Sequence, residues 1–420
     1  MTRPAYDRRQ RLPDRVDGRV ALARYAARLA AALSRLLRGG SGLVIGGRVL
    51  MQAAPTAVAT LSRGRNITLV SGTNGKTTTT ALTVRALEDG RLVGSNRGGA
   101  NTATGVAGTL ATSDAEQLVV EVDEGWLPWA VRATSPWCVV LTNLSRDQLS
   151  RHHEVGALAA TWRSCLGDVP VVVANADDPD VVWPALAARS QVWVSVGERW
   201  NADSLVCPAC GGRCLRSGQE WACASCDLRR PEPDWWLERN ELCSAHTRVR
   251  LSLDLPGQFN VGNAALSLVA AYVAGDVPIP DGATRLGSVT SVAGRFERVQ
   301  RGPHDLRVML AKNPAGWLEL LALMTSDGHP VVLLFNADGV DGRDPSWLYD
   351  VSFEVLRGRE VVVQGRRATD LLVRLQLDGV PARHVPGPLR AALAGLPAGR
   401  VDVIGNYTAF SAASAELRRG

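Results

Sequence analysis

NITLVSGTNGKTTTTALTVRAL, residues 66–87, sets the architecture of the chain. Asn66–Val70 is an apolar run of strand length that passes into a glycine-bearing turn and then a helix expected over Ala81–Leu87. In such a unit Gly72 and Gly75 let the backbone turn its amides inward, and the helix adds its own N-terminal donors. Lys76 is then placed to reach the β- and γ-phosphates of a nucleoside triphosphate, and the Thr77 hydroxyl to bind Mg²⁺. The phosphate-binding set is Gly72, Thr73, Asn74, Gly75, Lys76, Thr77 and Thr78. The wider pattern G-x-x-x-x-G-K-[ST] needs glycine at position 70, where this chain has Val70, so the loop is a shortened variant.

Outward from this unit, buried-strand candidates at Leu118–Val122, Cys138–Leu141 and Val169–Ala174 are separated by helix-length connections, which predicts a parallel sheet with covered faces. A helix is expected at Gly262–Ala274, and VPIPDG at 277–282 reads as a linker. A second alternation follows, with strands near Arg307–Leu310, Val331–Phe335, Glu360–Val363 and Val401–Ile404. The chain thus divides into an N-terminal basic arm and amphipathic helix (1–40), an α/β ATP-binding domain (41–288) with an insertion at about 201–245, and a C-terminal Rossmann-like α/β domain (289–420). In the helix over Ala21–Leu37, Leu22, Leu29, Leu33 and Leu36 are apolar, while Arg24, Arg28 and Arg35 share one face. That face is either the solvated side of a helix packed on its own domain or a surface for anionic membrane.

With 420 residues, 46% of them hydrophobic, and a mean hydropathy of −0.01, the composition excludes a disordered chain and an integral membrane protein. The net charge of +6 is a weak pointer to an anionic partner in a 44.8 kDa chain. No charge-free apolar stretch reaches spanning length and the first residues lack a signal-peptide core, so the expectation is a cytoplasmic protein. Of 47 basic residues only Lys76 and Lys312 are lysine and 45 are arginine. Codon bias accounts for the trend, yet the retained lysines mark places where a guanidinium cannot substitute. CPAC at 207–210 and CASC at 223–226 form two C-x₂-C knuckles, the spacing of a structural zinc ribbon held by Cys207, Cys210, Cys223 and Cys226. Cys214 is a further ligand candidate, and a redox pair or incidental thiols are the other reading. The insertion carries no basic, aromatic-interleaved stripe, which argues for a stabilising role and against nucleic-acid binding.

GTNGKTT resembles the ATP loop of the Mur ligase superfamily, which includes folylpolyglutamate synthases. EVDEG at 121–125, LTNLSRDQLSRHHE at 141–154, NADDP at 175–179, GQFNVGNAALS at 257–267 and GRFERV at 294–299 follow in the superfamily's order. The resemblance implies Glu121 as a Mg²⁺ ligand with Thr77, Asn263 as an adenine contact and Arg295 as a nucleotide-facing arginine. Only 65 residues precede the strand that leads into the loop, too few for the UDP-sugar-binding domain of peptide-adding members. Gln148 stands where a metal-binding histidine is expected, with His152 or His153 as substitutes. No lysine lies between positions 77 and 311, so the carbamylated lysine of those ligases has no counterpart.

AKNPAGW at 311–317, FNADGVDGRDPSWLYDVSFE at 335–354 with its aspartates 338, 341, 344 and 350, GNYTAF at 405–410 and the four-cysteine ribbon are similar to the MurT family of ligase subunits. That likeness implies ATP- and Mg²⁺-dependent amidation of the α-carboxyl of D-glutamate in lipid II through an acyl phosphate. Ammonia would come from a GatD-like class I glutamine amidotransferase subunit, whose histidine lacks an acidic partner. Asp350 would supply that carboxylate, and Lys312 a contact to substrate carboxylate or phosphate. A lipid-linked substrate further implies peripheral contact with the inner membrane face. The competing expectations are a folylpolyglutamate-synthase-like ligase without a partner and a zinc-ribbon nucleic-acid-binding ATPase.

Overall fold

A computed structural model describes residues 17–38, 40–96, 99–146, 155–197, 203–292, 294–324, 328–337 and 344–419. The chain forms two compact units. The first comprises Met1–Ser145, Glu154–Leu253 and Phe259–Val289, and the second Arg146–His153, Asp254–Gln258 and Thr290–Gly420. Gln148, His152, His153, Asp338 and Asp341 lie outside the described residues.

The first unit opens with three helices, α1 (Gly18–Arg38), α2 (Leu43–Ala53) and α3 (Ala57–Ser62). Strands β1 (Asn66–Ser71), β2 (Val93–Ser95), β3 (Gln117–Glu121), β4 (Cys138–Leu141), β5 (Val171–Asn175) and β6 (Gln191–Ser195) alternate with α4 (Lys76–Leu87), α5 (Ala103–Thr112), α6 (Leu127–Thr134), α7 (Val155–Leu166) and α8 (Pro179–Ala185). These strands pair in parallel in the order β6-β5-β4-β1-β3-β2. Every residue of β1, β4 and β5 is buried, as near-continuous Val/Leu/Ile runs covered on both faces require. The phosphate-loop helix starts at Lys76, five residues ahead of the expected Ala81, because Gly75 in the left-handed region (φ 83°) turns the chain into it.

The stretch expected as one insertion over 201–245 divides in two. The hairpin of β7 (Cys214–Ser217) and β8 (Glu220–Cys223) is a separate two-stranded sheet. Strands β9 (Trp235–Glu238), β10 (Glu241–Cys243) and β11 (Arg248–Arg250) instead extend the central sheet beyond β6 to nine strands. Helices α9 (Gln258–Gly275) and α10 (Ile279–Leu286) complete this unit, and α10 occupies most of the segment read as a linker at 277–282. Pro280 sits in the first turn of α10, where a missing N–H costs nothing.

The second unit is built on β12 (Phe296–Arg301), β13 (His304–Leu310), β14 (Val331–Leu334), β15 (Val361–Gln364), β16 (Ala382–His384) and β17 (Gly399–Gly405). The order is β12-β13-β17-β14-β15-β16, parallel throughout except for the hairpin partner β12. Helices α11 (Pro314–Ala322), α12 (Ala368–Leu377), α13 (Leu389–Leu393) and α14 (Tyr407–Arg419) accompany the sheet. The buried carboxylate of Asp402 on β17 is matched by the guanidinium of Arg307 on β13 through two parallel hydrogen bonds of 2.5 and 2.7 Å.

In α1 the expected orientation is reversed. Val20, Ala23, Ala27 and Ala31 are the buried face, and Leu22, Leu29, Leu33 and Leu36 face outward. Arg24 and Arg28 do not form a free basic face, because they donate to the carbonyls of Ala111 and, for Arg24, Ser113, and both pair with Asp114. The small face wins because it permits contact at backbone distance. A Cβ on Gly42 or Gly46 would strike the carbonyls of Ala31 or Ala27, one on Gly47 the carbonyl of Thr104, and one on Gly108 the carbonyl of Leu43. Since these obstacles are backbone atoms, Gly108→Val should force α2 and α5 apart and cost about 3 kcal/mol. An unchanged thermal midpoint would refute this account of the three-helix layer.

Candidate functional site

At the carboxyl end of β1 the chain makes a glycine turn into α4, the strand–turn–helix unit expected from the sequence. Gly72 (φ 145°) and Gly75 (φ 83°) both lie where side chains are strained. A Cβ on Gly72 would also collide with the Thr142 hydroxyl, and one on Gly75 with the Asn263 amide. Segment 142–145, which follows the neighbouring strand β4, is hydrogen-bonded into the loop. Thr73 N donates to Asn143 O (2.8 Å), Asn74 N to Asn143 Oδ1 (3.0 Å), Thr142 Oγ1 to Asn74 O (2.7 Å) and Ser145 N to Thr73 Oγ1 (3.0 Å). The sequence flagged this segment only through the family resemblance; its role as a brace carries no local signal.

Lys76 is buried, and its Nζ donates to the carbonyls of Gly72 and Thr73 and to Glu124 Oε2 at 3.0 Å. Burial works against its charge, but the carboxylates of Glu124, Glu121 and Asp123 more than offset that and hold its pKa above the ordinary lysine value. Glu124 was not singled out from sequence. It follows β3 by three residues, and its backbone carbonyl accepts from the buried Trp162 indole at 3.0 Å, which fixes the turn.

The expected Mg²⁺ ligands meet directly: Thr77 Oγ1 donates to Glu121 Oε2 at 2.9 Å. The other oxygen of Glu121 accepts from Asn101 Nδ2 at 3.1 Å, and its backbone amide donates to Asn96 Oδ1 at 2.8 Å. A hydroxyl and a carboxylate with no competing nitrogen or sulfur donor form an oxygen set suited to a hard divalent cation. Asn263 is buried on α9, where its Oδ1 accepts from Thr79 Oγ1 at 3.3 Å beside Gly75. Within the first unit the fold therefore gathers Gly72–Thr78, Glu121 and Asn263 around one loop.

NADDP begins at the end of β5 and ties the hairpin to the central sheet. Asp177 accepts from the amides of Val196 and Gly197 and from the Arg230 guanidinium, while Asp178 caps α8 and accepts from Leu144 N at 2.8 Å. The Sγ atoms of Cys207, Cys210, Cys223 and Cys226 lie within 4.8 Å of one another, the only such cluster among the described residues. The Cys207–Cys226 and Cys210–Cys223 distances are 3.7 and 3.5 Å. Sulfurs around tetrahedral zinc, each about 2.3 Å from the ion, stand about 3.8 Å apart, whereas a disulfide needs about 2.05 Å. Cys214 is buried opposite Cys223 in the hairpin register, outside this four-sulfur group.

In the second unit three motif segments converge. AKNPAGW leaves the carboxyl end of β13, Phe335–Ala337 that of β14 and GNYTAF that of β17, and these strands are neighbours in the order β13-β17-β14. Asn336 and Asn406 bridge the last two, with Asn336 N donating to Asn406 Oδ1 at 3.1 Å. Arg295 precedes β12, its carbonyl accepting from Leu310 N at 3.1 Å, so it flanks the same strand end that leads to Lys312. Such strand ends are where open α/β sheets bind ligands.

Asp350 closes a helical turn over Ser346–Asp350. Trp347 packs edge-on against Phe335 with ring centroids 5.6 Å apart, and the buried Arg374 donates to Leu348 O and Val351 O on either side of Asp350. The Asp350 carboxylate is 40% exposed and pairs with Arg146 at 3.3 Å. The backbone is thus pinned while the carboxylate faces solvent.

Comparison with known proteins adds names to this geometry. The MurT subunit of lipid II isoglutaminyl synthase from Streptococcus pneumoniae is 29% identical, covering 84% of this chain and 85% of that protein. The corresponding subunit from Staphylococcus aureus strain COL is 28% identical over 75% of this chain and 78% of its own. Among solved structures, a pseudomurein peptide ligase type C from Methanothermus fervidus superposes with a TM-score of 0.65 at 18% identity, covering 84% of this chain and 78% of its own. A Mycobacterium tuberculosis folylpolyglutamate synthase complexed with ADP gives 0.64 at 17% identity, covering 94% and 99%. The Mur ligase middle domain matches residues 70–271, the unit that carries the phosphate loop, and the MurT ligase C-terminal domain matches residues 310–410, the unit that carries Asp350. The chain therefore joins a Mur ligase middle domain to a C-terminal domain of the MurT ligase type.

Proposed function

We propose that the chain is the ligase subunit of a glutamine-dependent amidating enzyme that converts the D-glutamate of the lipid II peptide stem to D-isoglutamine. The observation that carries the chemical half of this reading is the Lys76–Glu124 pair inside a braced phosphate loop. Glu124 holds the ammonium where a phosphate oxygen would otherwise do so, so the buried lysine has an anionic partner both with and without nucleotide. The substrate half rests on the likeness to MurT subunits over most of the chain.

The loop amides and the N-terminal turn of α4 would hold the β- and γ-phosphates, with Lys76 drawing charge off the transferring group. Thr77 and Glu121 would hold Mg²⁺, which neutralises phosphate charge during transfer. A substrate carboxylate oxygen would attack the γ-phosphorus, releasing ADP and forming an acyl phosphate. Ammonia would then add to the carbonyl, inorganic phosphate would leave and a proton would be lost to give the amide. Asn263 and Arg295 would contact the nucleotide, and Lys312 substrate carboxylate or phosphate. The ammonia source would be a GatD-like glutamine amidotransferase subunit, with Asp350 orienting its histidine as the acidic member of a triad. The work would take place at the inner membrane face, where the lipid-linked substrate presents its peptide.

The four thiolates would hold a structural zinc ion, a closed set with no position left for catalysis. Arg216 in the hairpin and Arg230 beyond it turn their guanidiniums onto Asp177, Ser204 and Glu220, which disfavours a nucleic-acid-binding ribbon.

Lys76→Ala in the reconstituted complex should lower glutamine- and ATP-dependent amidation of lipid II by at least about a hundredfold while the two subunits still co-elute. Full activity would remove the loop from the mechanism. Asp350→Asn should lower glutamine hydrolysis by a comparable factor, since an amide cannot stabilise the imidazolium; an unaffected hydrolysis rate would sink the shared triad. Elemental analysis of the purified chain should find a single zinc, lost in Cys226→Ser together with a lowered thermal midpoint. A chain folded without zinc would disprove the ribbon assignment.

A further inference from the structure

Among the described residues, the apolar face of helix α1 has no partner. Leu22, Tyr25, Leu29, Leu33 and Leu36 recur at spacings of three and four and are 70, 62, 47, 57 and 83% exposed. They form one stripe roughly 20 Å long at the 1.5 Å rise of a helix. On the opposite side Ala23, Ala27 and Ala31 are packed against the unit, so the helix cannot roll over to hide its leucines. Arg24 and Arg28 hold the same rotation through Asp114 and the last carbonyls of α5.

What could cover the stripe is narrowed by charge. The seventeen residues before it carry five arginines against three aspartates and few large apolar side chains, so their composition is poorly suited to shielding it. Arg35 is exposed on the helix flank beyond Leu33. A second copy of the chain would bring the same cationic flank against itself. An aliphatic stripe with an aromatic residue, flanked by the exposed Arg35 and preceded by a sequence of net positive charge, matches a surface that is apolar a few ångströms down and anionic on top.

We propose that α1 is an in-plane anchor that seats the first unit on an anionic phospholipid bilayer, with the leucine stripe in the acyl boundary and Arg35 at the headgroups. Among the described residues no helix is long and apolar enough to cross a membrane, so this attachment is peripheral. The inference stands on α1 alone and does not draw on the amidation reading.

The test is sedimentation of the full chain with phosphatidylglycerol-containing vesicles and with vesicles of phosphatidylcholine alone. Binding is expected to the anionic vesicles, weakening as salt is raised. Leu29→Glu combined with Leu33→Glu should lower it at least about tenfold with an unchanged thermal midpoint, because both side chains already face solvent. Amidation of a water-soluble substrate analogue should be unaffected by the pair, which separates failure of the anchor from failure of the ligase assignment. Absence of vesicle binding, or equal binding by the double variant, overturns the proposal. If the wild-type chain ignores vesicles and the double variant no longer co-elutes with the glutaminase-like subunit, the stripe is a protein interface and the anchor is likewise overturned.

Discussion

The phosphate loop holds its shape because a second piece of chain is hydrogen-bonded into it. A run such as SGTNGKT has two glycines and, left to itself, the conformational freedom that makes glycine costly to order. Here the carbonyl and side chain of Asn143, the hydroxyl of Thr142 and the amide of Ser145 grip Thr73 and Asn74. Each bond contributes about 1 kcal/mol, enough together to offset the ordering of a few residues. Because β4 is β1's direct neighbour, the brace and the loop leave the sheet side by side. The parallel pairing of two buried strands is thus what makes this two-glycine loop stable without a ligand's help.

Much of this was legible because it is local. The strands at Cys138–Leu141 and Val401–Ile404 are short Val-rich runs that can only be buried, and the glycines of the loop announce a turn that other residues cannot make. Glu124, Asn96 and Asn101 were not legible. Each acts through hydrogen bonds to a residue some twenty to fifty positions away, and such contacts leave no periodicity. The edge strands β9 to β11 escaped for a related reason: three or four residues of Trp, Arg and Glu near a cysteine cluster look like part of an insertion.

Helix α1 shows a different limit. Periodicity identifies two faces but not which one is buried. The usual inference that leucines go inside fails because the alanine face, laid against Gly42 and Gly46, brings backbones together closely enough for dense packing, which leucines would prevent. The arginines then have carbonyls and Asp114 within reach and cease to be a solvated face. Close packing through small residues left the larger apolar surface outside.

The scarcity of lysine acquires a stereochemical explanation at position 76. The ammonium there has three N–H donors and meets three acceptors, the carbonyls of Gly72 and Thr73 and a carboxylate oxygen of Glu124. A guanidinium carries five donors in a rigid plane. In a site as closed as this one, at 5% exposure, two of them would be left bare, each costing about 1–3 kcal/mol, and the planar group would press on a loop already tight around Gly72. A chain that uses arginine at 45 positions therefore keeps lysine at the one place in its first unit where donor count and volume both forbid the exchange.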